Sequence, residues 1–169
     1  MVSLIMRGWR KWRRNCALAI KIIAVGKKHE AWAEDGIKRY EKRLRRPFDA
    51  SWILLAHSAK DGDTAREDES EQLLSRVKDN EYVVLLDERG ELLSSPQLAA
   101  MLATPLERST SVVLVIGGAY GVNDAVRARA DVVWSLSPLV FPHQLVRLLV
   151  VEQLYRAQEI FSGRPYHHE

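Results

Sequence analysis

The chain has 169 residues, and its 47% hydrophobic and 28% charged content predicts a single compact domain with a sizeable apolar core. Its only cysteine is Cys16, which excludes a disulfide framework and favours a reducing compartment such as the cytoplasm. No apolar run approaches the ~20 residues that span a bilayer, so a membrane partner is not expected.

The charge is distributed unevenly along the chain. The net charge is +3, yet residues 1–50 hold 14 Lys and Arg against 5 Asp and Glu, and residues 51–169 hold 11 against 17. This asymmetry favours a polyanion as partner for one face of the molecule. A basic helix face that only contacts water explains it equally well, and composition alone does not decide between the two.

The first 16 residues are interpreted as a basic extension that precedes a single domain over residues 17–169. Arginines followed by an apolar stretch resemble a signal peptide, but Lys21 interrupts the apolar part and no small-residue cleavage site follows it. The extension is either a disordered arm that contacts RNA or the product of an upstream start codon.

Five strand patterns alternate with five helix patterns along the chain. The predicted strands are 17–25, 52–56, 82–86, 111–116 and 132–136. The first two predicted helices are 29–46 and one that carries Leu73, Leu74 and Val77 after an acidic loop. The other three are 96–103 with Ser95 as its cap, a short one capped by Asn123 that ends at about Arg129, and 142–161. Continuous apolar strands separated by helices predict an α/β fold with a mostly parallel sheet covered by helices on both faces.

Three predicted strands end in sequences suited to ligand binding, because ligands of such sheets lie at the carboxyl ends of strands. The ends are Leu86-Asp87, Gly117-Gly118 and Leu136-Ser137-Pro138. Gly117 opens a glycine-rich turn, GGAYG, whose spacing matches neither a dinucleotide fingerprint nor a P-loop. Each end is either part of a ligand site or an ordinary connection between a strand and a helix.

The last predicted helix is apolar on nearly every side. A helix of this kind is buried, and at a chain end it favours packing in a subunit interface as well as on its own sheet. Glu152 and Arg156 have the spacing at which opposite charges meet on a helix. We expect this pair to form a structural polar seam rather than to act in catalysis.

The chain ends in GRPYHHE, which could be a truncated tag, a metal-binding tail or part of an active site. Adjacent histidines do not converge on one ion, and purification tags carry about six histidines. There is also no CxxC, no HxxxH and no recognisable catalytic triad. No metal site is therefore predicted.

Four segments together resemble one known family. They are LLDERGELLSSPQLA (85–99), VLVIGGAYG (113–121), SLSPLVFPHQLVRLLVVEQLYRA (135–157) and GRPYHHE (163–169). This combination resembles the bacterial large-subunit (23S) ribosomal RNA pseudouridine N3-methyltransferases, small members of the SPOUT superfamily. AIKIIAVGK and EKRL extend the likeness, so that it spans about residues 17–169. The family usually has threonine where this chain has Val140.

The resemblance implies S-adenosylmethionine (SAM) as methyl donor, a C-terminal trefoil knot, a homodimer, and a pseudouridine of the assembled ribosome as substrate. It places the donor pocket at Leu86, Gly117, Leu136, Ser137, Pro138, Leu139, Val140 and Phe141. We expect Arg39, Lys42, Arg43 and Arg46, on the polar side of the first helix, to contact RNA phosphates.

The same resemblance gives the tail a role. We expect Tyr166, His167 and His168 to act in catalysis by reaching the donor pocket of the neighbouring subunit. Tyr166 would contact the target base, and an imidazole of the right pKa range would assist loss of its N3 proton. Two alternatives stay open, namely a non-catalytic ribosome- or RNA-binding protein and a small-nucleotide-binding α/β domain.

Overall fold

A computed structural model describes residues 20–164. Its strands are β1 (Ile20–Val25), β2 (Ala50–Leu55), β3 (Tyr82–Leu92), β4 (Val112–Ile116) and β5 (Val132–Ser135). Its helices are α1 (Ala31–Glu41), α2 (Gly62–Leu74), α3 (Ser95–Glu107), α4 (Asp124–Arg129) and α5 (His143–Phe161). Residues 1–19 and 165–169 lie outside this range, and with them the predicted extension, the predicted start of the first strand and the predicted catalytic tail.

The five strands form one parallel sheet in the order β2-β1-β4-β3-β5. Helices cover both faces of it, which confirms the predicted α/β fold. The strand predicted over 82–86 continues to Leu92, with an irregularity in its pairing with β5 between Leu86 and Glu91. Leu86 lies opposite both Ile116 and Trp134, so the middle of β3 meets the carboxyl ends of β4 and β5.

Each face of the sheet carries its own apolar core. Alternate residues of β1 point to opposite faces, Ile22 and Ala24 toward α1, α3 and α5, and Ile23 and Val25 toward α2 and α4. Strands buried on both faces read as continuous apolar runs rather than as alternating patterns. This is why the strand prediction succeeded along most of the sheet.

Two predicted helices have different limits. The helix predicted over 29–46 ends at Glu41, so Lys42, Arg43 and Arg46 follow it in a turn. The helix predicted over 96–103 continues to Glu107 and includes Pro105. Its cap is Ser94 rather than Ser95.

The cap at Ser94 is a reciprocal one. The Ser94 hydroxyl accepts a hydrogen bond from the Gln97 backbone N–H (3.4 Å), and Gln97 Oε1 accepts one from the Ser94 N–H (2.8 Å). The sequence SSPQ offers either serine as a cap, but only Ser94 stands three residues before a glutamine, as a capping box requires.

The acidic stretch before Leu73 was predicted to be a loop, and this prediction was wrong. Helix α2 begins at Gly62, and Val77 lies beyond its end. Its buried stripe starts with Ala65, Glu69 and Ser70, which are small or polar, so the hydrophobic spacing that indicates a helix is missing there. None of the helices within residues 20–164 is long and apolar enough to cross a membrane.

Candidate cofactor-binding site

The middle of β3 and the ends of β4 and β5 open onto one cleft of about 530 Å³. Seven of the eight predicted pocket residues line it, namely Leu86, Gly117, Leu136, Ser137, Leu139, Val140 and Phe141. Pro138 lies in the same loop, between Ser137 and Leu139. The cleft therefore brings together residues of β3 and residues that follow the ends of β4 and β5, at the edge where ligands of α/β sheets bind.

The glycine-rich turn after β4 forms one wall. The Gly121 N–H donates to the Gly118 carbonyl (3.0 Å), and Gly121 has a φ of +73°, a conformation that favours glycine. A Cβ on Gly117 would lie 2.8 Å from Val122 Cγ1, which is closer than such atoms normally approach. The three glycines leave backbone uncovered on this wall, beside the exposed side chain of Tyr120, so a ligand can come close to peptide groups.

Helix α2 holds this turn from behind. The Asn123 N–H donates to Ser70 Oγ (3.0 Å), and Asn123 Nδ2 donates to Glu67 Oε2 (2.6 Å). A Cβ on Gly118 would overlap the carboxylate of Glu69, a residue that is only 4% exposed. The helical pattern of α2 is weak in the sequence because its residues are polar, and some of these polar residues position the turn.

The loop after β5 forms the opposite wall. It is fixed at its base, where Ser135 Oγ donates to the Ser137 carbonyl (2.8 Å) and the Leu139 N–H donates to Ser137 Oγ (3.0 Å). Leu139 and Val140 are 68% and 82% exposed. Apolar side chains held at the mouth of a cleft suit a flat, partly apolar ligand group.

The rim of the cleft is charged. Arg127 Nη2 donates to Asp87 Oδ2 (2.5 Å), which joins α4 to β3, and the Asp87 side chain is 7% exposed. Sequence reasoning placed Asp87 at a strand end, whereas it lies within β3, and did not find Arg127. The partners are 40 residues apart, and no local pattern connects them.

His143, the first residue of α5, lines the cleft as well. Burial, and then the charge of Arg147, hold the pKa of His143 below its usual value, although a hydrogen bond with the Gly117 backbone opposes the shift. The ring is therefore neutral near pH 7, and it links the start of α5 to the glycine-rich turn.

Arg147 is the arginine of the segment PHQLVR (142–147), and it has a structural role. It is 1% exposed and donates to the carbonyls of Val25 (2.6 Å), Gly26 (3.2 Å) and Lys28 (2.9 Å). These bonds fix α5 against the end of β1. Burial also lowers the pKa of the Arg147 guanidinium.

The other predicted residues lie away from the cleft. Arg39, Lys42, Arg43 and Arg46 are exposed, at the end of α1 and in the turn after it. Arg43 Nη2 donates to the Tyr155 hydroxyl (2.7 Å), and its guanidinium lies 4.1 Å from the centre of that ring. The predicted contact between Glu152 and Arg156 is present at 2.7 Å. Tyr166, His167 and His168 fall outside the described residues.

A family model described as "Predicted SPOUT methyltransferase" matches residues 18–167. The chain belongs to the SPOUT methyltransferase family. This confirms the membership predicted from the motifs, and SPOUT methyltransferases use SAM as methyl donor. Over residues 20–164, no group of three or more His, Cys, Asp or Glu is placed to hold a metal ion.

This SPOUT chain also has close curated relatives. Proteins named "Ribosomal RNA large subunit methyltransferase H" from Geotalea daltonii, Geobacter metallireducens and Hahella chejuensis are 45%, 44% and 41% identical to it. The alignments cover 89%, 89% and 90% of this chain and 100%, 99% and 100% of those proteins. A solved structure described as a hypothetical protein aligns with 88% of this chain and 71% of its own, at 16% identity and a TM-score of 0.48.

Proposed function

We propose that this SPOUT methyltransferase methylates large-subunit ribosomal RNA, and that its target atom is N3 of a pseudouridine in the assembled ribosome. The observation that carries the proposal is the cleft where β3 and the ends of β4 and β5 meet beside the glycine-rich turn. The relatives of 41–45% identity, which are named as methyltransferases of that RNA, support the substrate class. Ribosomes place the reaction in the cytoplasm.

The cleft suits SAM in both size and chemistry. Leu86, Gly117 and the loop 136–141 would hold it, with loop backbone groups on the adenine and the bare backbone of Gly117 beside the methionine part. Leu139 and Val140 would cover the bound donor and keep water out. When bound, SAM supplies an electrophilic methyl group on a sulfonium.

The acceptor nitrogen must lose its proton before or during transfer. We assign assistance in this step to His167 or His168 of a partner's tail, with Tyr166 against the target base, because a free imidazole has a pKa near neutrality. His143 is less suited, since its ring is engaged with the Gly117 backbone. Placing the two reactants together would supply much of the remaining rate.

A homodimer would complete the site, and α5 offers the surface for it. Leu145, Leu149, Glu152 and Arg156 form a half-buried stripe along α5, spaced by three or four residues. Two apolar residues continued by an ion pair fit a subunit interface with a polar seam. The trefoil knot and the single domain over 17–169 stay predictions.

Calorimetry with SAM and transfer of labelled methyl groups to unmodified ribosomes test the proposal together. The wild-type protein should bind SAM and label one nucleoside of the large-subunit RNA. Gly117→Val should weaken SAM binding by about 100-fold or more, because the branched side chain would displace Val122 and narrow the cleft. Thr104→Val, on α3 outside the cleft, should bind SAM normally.

Two results would overturn this assignment. A wild-type protein with no SAM affinity, with or without ribosomes, would favour a non-catalytic RNA-binding protein. A Gly117→Val variant that keeps the dimer and binds SAM normally would place the donor elsewhere.

A further inference from the structure

A second hollow, of about 320 Å³, lies at the carboxyl end of β1. Its lining includes Trp32, His57 and Arg147, and it shares His143 with the donor cleft. The two cavities are therefore neighbours on the same edge of the sheet. An RNA segment bound at the donor cleft would therefore extend close to this hollow.

Trp32 is the main apolar surface of the hollow. It is the second residue of α1, and it is 55% exposed although indole is among the largest apolar side chains. Its Nε1 donates to Glu30 Oε2 (2.6 Å), which fixes the ring and satisfies its polar atom. The result is an aromatic surface held open to solvent.

The backbone beside Trp32 is rigid and carries two lysines. Lys27 and Lys28 are exposed, and neither ammonium group has a hydrogen bond or ion pair within the described part of the chain. Arg147 binds the carbonyls of Gly26 and Lys28, so the segment that presents the lysines is fixed from inside. Arg147 also adds its own positive charge behind the hollow.

Of the nearby acidic groups, Glu34 pairs with Lys38 at 2.6 Å, whereas Glu30 lines the hollow and keeps its charge, because its partner is the neutral indole N–H of Trp32. Lys27, Lys28 and Arg147 together outnumber that single negative charge. The exposed aromatic ring therefore lies beside net positive charge. Proteins bind single-stranded nucleic acid through this combination, with a base stacked on the ring and phosphates on the cations.

We propose that this hollow binds an unpaired nucleotide of the RNA next to the methylated one, with its base on Trp32 and neighbouring phosphates on Lys27 and Lys28. This rests on the proposed function for the identity of the RNA. An unpaired nucleotide is favoured because RNA bases become accessible to aromatic side chains where they are not stacked in a helix. The hollow thus selects and positions the substrate, and the donor cleft carries out the transfer.

Kinetics on ribosomes test the role of the ring. Trp32→Ala should raise KM for ribosomes about tenfold, leave kcat and SAM affinity within about twofold, and keep the same oligomeric state. Trp32→Phe, which retains a stacking ring, should stay within about threefold of wild type. An unchanged KM in Trp32→Ala overturns the proposal. So does a loss of SAM affinity or a change of oligomeric state, because Trp32 would then support the fold or a subunit contact.

Direct RNA binding separates this proposal from the proposed function. A fluorescently labelled single-stranded RNA of about ten nucleotides should bind wild type more tightly than Trp32→Ala, whether or not the protein methylates ribosomes. Lys27→Gln with Lys28→Gln should lower the slope of log affinity against log salt by about 1.4. Lys78→Gln, at the opposite edge of the sheet, should leave it unchanged. Equal salt slopes in the double variant and wild type would remove the lysines from the site.

Discussion

At the carboxyl edge of the sheet, β3 and the ends of β4 and β5 meet in a cleft walled by the glycine-rich turn and short loops. The end of β1, at the same edge, is followed by two lysines and by the exposed Trp32 of α1. The cleft, here called the donor half of this edge, suits one small molecule of fixed shape, which backbone groups can bind closely. The region at the end of β1 suits a long polyanion, which several side chains can contact along its length. Donor binding and RNA binding should therefore be separable by mutation.

The largest expected effect comes from the chain end. Deleting residues 166–169 should leave SAM affinity within a few-fold but abolish methyl transfer to ribosomes, because the donor half stays intact while the tail groups are lost. Isothermal titration with SAM and methyl transfer to ribosomes measure the two quantities. Normal transfer by the deletion would remove Tyr166, His167 and His168 from catalysis.

Mixed dimers sharpen this test. Equal amounts of the deletion protein and of the Gly117→Val protein, mixed so that their subunits exchange, should recover about a quarter of wild-type activity. Half of the dimers are then mixed, and each mixed dimer holds one complete site out of two. If mixed dimers form and stay inactive, the tail does not act across the subunit interface.

Charge reversal on α1 and the turn after it should have the next largest effect. Arg39→Glu with Lys42→Glu and Arg46→Glu should weaken ribosome binding by about tenfold or more, at unchanged SAM affinity, because phosphate contacts are lost. Arg43 needs separate treatment, as its variant also loses the Tyr155 contact. Ribosome binding at several salt concentrations measures this. If the dependence of ribosome affinity on salt is the same as in wild type, these residues form a solvated surface that does not contact RNA.

The smallest expected effect is on pH-dependent stability. His143 in the donor half and His29 beside the second hollow both have a pKa below the usual value of 6.5, through burial first and then the charge of Arg147. Below pH 6.5 the unfolded chain therefore binds more protons at these sites than the folded chain does. Their contribution to stability is present above pH 6.5 and is lost as the pH falls below it.

Urea unfolding at about pH 7.5 and about pH 5.5 measures that contribution. The free energy of unfolding should be lower at the lower pH, and His143→Gln or His29→Gln should make this decrease smaller. If both variants keep the full decrease, the two imidazoles do not couple protonation to folding.

Sequence reasoning found what local patterns encode. The glycine-rich turn and the cap at Asn123 depend on neighbours within a few residues, and Asn123 does accept from the Val126 N–H (3.1 Å). The cleft also followed from the predicted strand ends, because parallel strands deliver their ends to one edge, whereas its role as donor site stays a prediction.

Contacts between distant segments could not be found in this way. Glu69 lies against Gly118 and Arg127 pairs with Asp87, yet neither pairing has a signature in sequence spacing. Trp32 presents a similar difficulty. Its spacing puts it on the same side of the helix predicted over 29–46 as Ile37 and Tyr40, which predicts burial, whereas it is exposed beside a hollow. In each case the environment of the residue depends on which distant segment the fold brings close to it.

The strand order has a consequence for how the chain folds during synthesis. β1 pairs with β2 soon after both are made, but its other neighbour is β4, where Val113 lies opposite Lys21. About 90 residues must be added before that edge of β1 is covered. Non-local parallel pairing of this kind slows folding and leaves an apolar edge exposed to aggregation. A nascent chain that stalls before β4 would therefore be a substrate for chaperones.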